Sequence, residues 1–245
     1  MDSSNVYALT VMALTYASSG QVGDAEQIYR RMLDLDQYGE SIAYEGLADL
    51  AMSRGDDVGA LNLLDTAIEI ERARGSLHSV ALKNAMRAEA LLRLGEKEAA
   101  LRATEDALEF ASGDAAVLVP GAKVLVELDR ADHADAIAAE LGASVSRSDR
   151  AYAALIRAHI SESEGDLGEA VEQVEAALVV ADLWLARMML AHLNLEMGQQ
   201  ELSAKELDLC RQRLGEGLAV FLNDRPTFRL VDISNTASLQ AMESN

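Results

Sequence analysis

Cysteine is almost absent from this chain, and its scarcity removes one class of fold at once. The single cysteine, Cys210, has no internal partner for a disulfide and no neighbours at metal-ligand spacing. It fits a reducing compartment, and the cytoplasm is the expected location. Only two prolines occur and aromatic residues make up 4 % of the 245, so the aromatic and β-branched clusters of a sheet protein are missing. Half the residues are apolar, with Ala and Leu dominant, which suffices for a buried core and favours helices. Positive charge is scarce as well: 21 Lys and Arg face 41 Asp and Glu, for a formal charge of -20. Such a field repels nucleic-acid backbones and anionic lipid surfaces. It attracts basic proteins or cationic peptides, or else simply solvates a long surface.

Uninterrupted apolar runs are also lacking. The opening "NVYALTVMALTYASSG" follows Asp2 with no Lys or Arg before it, and reads as a first amphipathic helix rather than a signal sequence. The stretch from Ala176 to Leu195 is broken by Asp182, Arg187 and His192, each costly inside a bilayer. No direct membrane insertion is expected.

What the chain has instead is a recurring phrase: a helical stretch, a glycine, four residues, an alanine, and a second helical stretch. It reads G-Q-V-G-D-A at Gly20 to Ala25, G-D-D-V-G-A at Gly55 to Ala60, G-E-K-E-A-A at Gly95 to Ala100 and G-D-L-G-E-A at Gly165 to Ala170. Weaker copies place Asp129 before Ala134 and Gly198 before Ser203. The six anchors are spaced by 35, 40, 34, 36 and 33 residues. In each copy the glycine suits the left-handed residue that ends a helix, and the small alanine lets the next helix approach closely.

Packing residues recur around these anchors at helical spacing: Leu9, Met12, Ala13, Tyr16, Ala25, Tyr29 and Met32, then Tyr44, Leu47, Ala48, Ala60, Leu64 and Ala67. On these residues the chain resembles the tetratricopeptide repeat superfamily, whose period is about 34 residues. The resemblance implies an all-α superhelical solenoid of six helix–turn–helix repeats, at approximately 5–37, 41–75, 77–113, 114–143, 149–182 and 183–217. A degenerate end over 218–231 and a polar tail over 232–245 follow. Asn84, Arg87, Arg157 and Arg187 stand where the superfamily packs apolar groups, and their polar ends are expected to snorkel or their helices to rotate. Pro120, about two turns into a helix, is expected to bend it.

The last repeat carries more. Asp182 and Trp184 in "ADLWLAR", Glu206, Cys210, Arg213, Gly215 and Glu216 in "ELDLCRQRLGE", and the following "AVFLNDRPTFR" are similar to the terminal part of a bacterial tetratricopeptide subgroup. That subgroup is found attached to eukaryote-like serine/threonine kinases and other signalling domains. Its usual aromatic closing helix has no counterpart in "LVDISNTASLQAMESN". No phosphate loop, His-Arg-Asp or Asp-Phe-Gly appears, so only the repeat portion of such a protein is represented.

No catalytic constellation is visible, and the chain is read as a non-enzyme without cofactor or metal. His159 and His192 lie six residues before their anchors, on equivalent places of successive first helices. They are read first as polar groove residues; a shared ligand needs their side chains to converge, with Glu162 supplying an oxygen. Cys210 is read as a packing residue, and Trp184 as packing between the fifth and sixth repeats. The superfamily's inner-face positions project onto Tyr7, Leu14, Ile42, Glu45, Asp49, Met52, Glu89, Tyr152, His159, Met188 and His192, a mixture suited to a basic or amphipathic segment. Phe221, Phe228, Leu230 and Val231 would form an apolar end that docks on another subunit or a second copy. The expected function is a noncatalytic adaptor or accessory subunit that holds a protein or peptide partner. The alternative is a regulatory or sensor module of a bacterial signalling system.

Overall fold

The computed structural model describes residues 5–213, apart from the side chain of Ser18. Every regular element among them is a helix: α1 (Val6–Ser18), α2 (Val22–Met32), α3 (Gln37–Ser53), α4 (Asp57–Arg74), α5 (Leu77–Arg93), α6 (Lys97–Glu109), α7 (Ala115–Glu127), α8 (Ala131–Gly142), α9 (Arg147–Ser163), α10 (Leu167–Val180), α11 (Trp184–Glu196) and α12 (Gln200–Gln212). In chain order they form six consecutive hairpins, α1–α2, α3–α4, α5–α6, α7–α8, α9–α10 and α11–α12. The chain divides into two compact units, and the described residues of the first are 5–112 and of the second 113–213. Each unit holds three hairpins. In the first, every helix packs on the next from α1 through α6; in the second, α7 packs on both α8 and α9, and the sequence continues through α12.

The six turns inside the hairpins are built alike. Gly20, Gly55, Gly95, Gly165 and Gly198 have φ between +74° and +84°, and Asp129 takes the same place at +58°. The next residue's N–H donates to the carbonyl five residues back, from Gln21 to Tyr16, Asp56 to Ala51, Glu96 to Leu91, Arg130 to Leu125, Asp166 to Ser161 and Gln199 to Asn194, at 2.7–3.0 Å. This bond and the shorter one made by the left-handed residue itself, as from Gly55 to Met52, satisfy carbonyls that the helix end would leave bare. Five residues beyond each anchor, Ala25, Ala60, Ala100, Ala134, Ala170 and Ser203 have no exposed surface at all. Only small side chains occupy these positions, and five of the six are alanine.

Other junctions depend on equally local chemistry. Asn5, Asp36, Asp56, Asp114, Ser146 and Asp166 cap helices by accepting backbone N–H bonds with their side chains. Gly46, in the middle of α3, faces the ring of Tyr29, and a Cβ there would overlap that ring. Pro120 sits within α7 without ending it, and α7 runs unbroken from Ala115 to Glu127 with most of its residues buried. Burial against α8 and α9 compensates for the hydrogen bond that a proline omits.

Two departures from the repeat identify local costs. Asp129 holds a backbone conformation that its Cβ disfavours. Ser203 fills an alanine slot with a buried hydroxyl that has no hydrogen-bond partner. Asp129→Gly and Ser203→Ala are therefore each expected to raise stability by roughly 0.5–1 kcal/mol, while Gly165→Ala lowers it by about 1 kcal/mol. Urea unfolding midpoints of the three variants check the signs.

Candidate functional site

The first helices of the second unit bring together a cluster that no single sequence motif announces. His159 and Glu162 lie one turn apart on α9, and His192 and Glu196 one turn apart on α11. His159 Nδ1–H donates to Glu162 Oε2 at 2.9 Å, and His192 Nε2 stands 3.1 Å from Glu162 Oε1 and 3.5 Å from Glu196 Oε1. On α7, Glu127 Oε1 is 3.3 Å from His159 Nε2, close enough for charge attraction but outside hydrogen-bond geometry. The two histidines thus do converge, and Glu162 is the residue between them.

The electrostatics follow from this placement. Burial alone would raise the Glu162 pKa, but the two imidazoles outweigh it and hold the carboxyl at about 2. Burial likewise opposes the charged form of His159, yet Glu127 and Glu162 carry its pKa above the ordinary value, with Lys123 on α7 acting in the other direction. For His192 the contact with Glu162 is the leading cause of a raised pKa, followed by burial against it and then by Glu196 in support. Glu127 is lowered by its His159 neighbour.

A second polar knot closes the last hairpin. Asp182 accepts from Arg187 at 2.7 and 2.9 Å and from Arg213 at 2.8 Å, while Arg187 also donates to Glu206 on α12 at 2.7 Å. Beside it, Trp184 Nε1 donates to the Cys210 carbonyl at 2.8 Å, and Trp184, Met188, Ala191, Leu207 and Cys210 form one apolar cluster. These contacts lie within the sixth pair, where the indole N–H finds its acceptor on α12. Burial pushes the Cys210 thiol up to about 12, so it stays protonated and packs as a small apolar group.

The first unit contains a buried ionic group that sequence reasoning missed. Lys83, only 1 % exposed, donates to Glu45 at 2.6 Å and lies 3.9 Å from Glu71, which also accepts from Ser41 and Arg74. Glu45 is therefore tied to α5. The arginines at unusual positions pair with a second helix: Arg87 with Asp65 and Arg157 with Asp135, each 22 residues apart, at 2.9 and 3.0 Å. Their polar ends do reach outward to partners. Asn84 instead is buried, and its Nδ2 lacks a hydrogen-bond partner.

The projected inner-face residues divide sharply. Tyr7 is 60 % exposed, and Ile42, Glu45, Glu89, His159 and His192 are half-buried. Leu14, Asp49, Met52, Tyr152 and Met188 are buried, which corrects the expectation that their side chains line an open wall. Met52 packs with Met86 and Ala90 of α5, and Met188 with residues of α12. Long thioether chains bend into such gaps readily. Phe221, Phe228 and Leu230 lie outside the described residues. Glu127 and Glu196 escaped the sequence reading, although each stands two residues before its anchor and so shares one register.

No protein-family model matches the chain, and no curated protein matches it by sequence. Among solved structures, a tetratricopeptide repeat protein from Parabacteroides merdae is 15 % identical, covers 98 % of this chain and 99 % of its own, and has a TM-score of 0.48. A MamA from Desulfovibrio magneticus is 15 % identical over 72 % of this chain and 95 % of its own, with a TM-score of 0.43. The TPR2AB domain of yeast Sti1, in complex with pHSP90, is 12 % identical over 98 % of both chains, with a TM-score of 0.39. At these scores the likenesses carry no weight, and the all-α repeat architecture rests on the six repeated turns. No described helix is long and apolar enough to cross a membrane.

The cluster makes stability depend on pH. The raised histidines contribute fully below 6.5, and that contribution is lost as pH rises through their folded values. Lowered Glu162 contributes above 4.5 and loses its share as pH falls towards about 2. Melting temperatures of the wild type are expected to fall as pH rises above 6.5 more steeply than those of a His159→Gln/His192→Gln double variant. Parallel slopes would show the cluster to be energetically silent.

Proposed function

We propose that the chain is a noncatalytic protein-interaction scaffold whose first helices receive a basic or amphipathic segment of a partner. The observation that supports this most directly is the character of those helices. In the first unit Tyr7 is exposed and Ile42 and Glu89 are half-buried, and in the second, taken by itself, the His–Glu cluster is partly exposed, all in a chain of charge -20. Apolar contacts supply affinity, and acidic groups select a cationic partner and speed its approach. The only thiol is buried and protonated, which argues against its use as a nucleophile.

A second reading, a regulatory module of a bacterial signalling system, is favoured by the Asp182–Arg187–Glu206–Arg213 knot. Its residues, apart from Arg187, are among those that resemble the kinase-associated subgroup, and here they lock one hairpin. Copurification of a kinase or transcription factor from the native cells distinguishes this role from that of a stable accessory subunit.

The direct test is capture of partners by the immobilised full chain from extracts of its native cells. The captured protein is expected to dissociate as salt rises above about 0.15 M. Tyr7→Ala and Glu89→Lys are each expected to weaken its retention while leaving helical circular dichroism intact. Retention indifferent to salt and to both variants would remove the first helices as the binding face.

A further inference from the structure

We propose that α9 and α11 carry a divalent transition-metal site whose protein ligands are Glu162, His192 and Glu196. The site goes beyond the scaffold reading and does not depend on it. Ligand atoms of these three residues all lie within 4.8 Å of one another. Two of their separations, 3.1 Å from His192 Nε2 to Glu162 and 3.5 Å from it to Glu196, bracket the edge of a tetrahedron around zinc. With metal–ligand bonds of 2.0–2.1 Å that edge is roughly 3.3 Å. A metal ion placed between the three groups therefore replaces the proton-mediated contacts that His192 now makes to Glu162 and Glu196.

The surroundings suit a dication. Glu127, Glu162 and Glu196 supply carboxylates around the one ligating imidazole, His192, which binds metal in its neutral form, while His159 and Lys123 of α7 stand outside the ligand set. His159 supports the ligand Glu162 from the side opposite His192, through the 2.9 Å bond from its Nδ1. Such an outer contact orients a carboxylate and favours its charged form. His159 Nε2 is buried and lacks a hydrogen-bond partner, and it faces Glu127 at 3.3 Å. The group is thus more than an accumulation of surface acids: imidazole with carboxylates selects Zn2+ and its first-row neighbours over Mg2+ or Ca2+. Its pairs sit at i,i+3 on one helix and i,i+4 on the other, so each helix delivers its groups from a single face. With three protein ligands, the fourth tetrahedral position is left to water or to a donor group from a bound molecule.

The test uses the full chain, stripped with a chelator and titrated with Zn2+ by calorimetry and thermal melting, and with Co2+ by visible spectroscopy. One Zn2+ per chain is expected, with a raised melting temperature and a Co2+ spectrum of tetrahedral intensity; Mg2+ and Ca2+ are expected to leave the melt unchanged. His192→Ala and Glu162→Gln should each weaken Zn2+ binding roughly tenfold or more, and the exposed-residue control His133→Ala should leave it intact. His192→Gln provides the same test with a side chain closer in size, should the alanine variant lose helical signal. Absence of Zn2+ binding by the wild type, or undiminished binding by both the His192→Gln and Glu162→Gln variants, would overturn the site. An equal response to Mg2+ and Ca2+ would overturn it too, by assigning the effect to diffuse acidic charge.

Discussion

A single residue in the left-handed region governs each hairpin of this protein. It turns the chain, aims the next N–H at the carbonyl five residues back, and sets the second helix against the first at a distance that only a very small side chain permits. These consequences are coupled: the turn without the small residue would hold two helices apart, and the small residue without the turn would have no helix to face. Gly55 with Ala60 and Gly165 with Ala170 show the same coupling in different units. Asp129 shows that the backbone requirement outranks residue type, since an aspartate is held at φ +58° rather than the turn being abandoned.

Because that turn repeats, side chains at one register on successive first helices form rows. In the second unit, a row contains the His159–Glu162 and His192–Glu196 pairs, with Glu127 at its other side. The helices supply spacing and orientation, and the residues supply only chemistry. The same principle puts Arg87 against Asp65 and Arg157 against Asp135 at equal separations in sequence. A polar group at a packing position is thereby given a charged partner on the preceding helix.

The architecture was legible because its requirements are local. Six turn residues and six small residues could be marked on the sequence, and all twelve occupy the conformation or burial that the repeat requires, Asp129 and Ser203 against their own chemistry. The site was legible only in part. Registering His159 and His192 against their anchors identified a pair worth following, but Glu127 and Glu196 become relevant only once neighbouring helices fix which rotamers meet. Leu14, Met52 and Met188 show the opposite difficulty: a helix position that borders the wall also borders the core, and long flexible apolar chains settle inward. Lys83 was illegible for a related reason, because burial of a lysine depends on carboxylates contributed from α3 and α4.

Those carboxylates have a consequence for the order in which hairpins assemble. Hairpins with interchangeable turns and alanine contacts offer one another many near-equivalent faces, and repeat proteins accordingly risk docking the wrong neighbours. Lys83 can enter an apolar junction only where Glu45 and Glu71 await it; Ser41 donates to Glu71 Oε1, the oxygen that faces Lys83, and Arg74 to Glu71 Oε2. At any other junction the ammonium would be stranded without compensation. The buried charges thus act as an address: they cost solvation energy in the correct arrangement, but cost far more in every shuffled one.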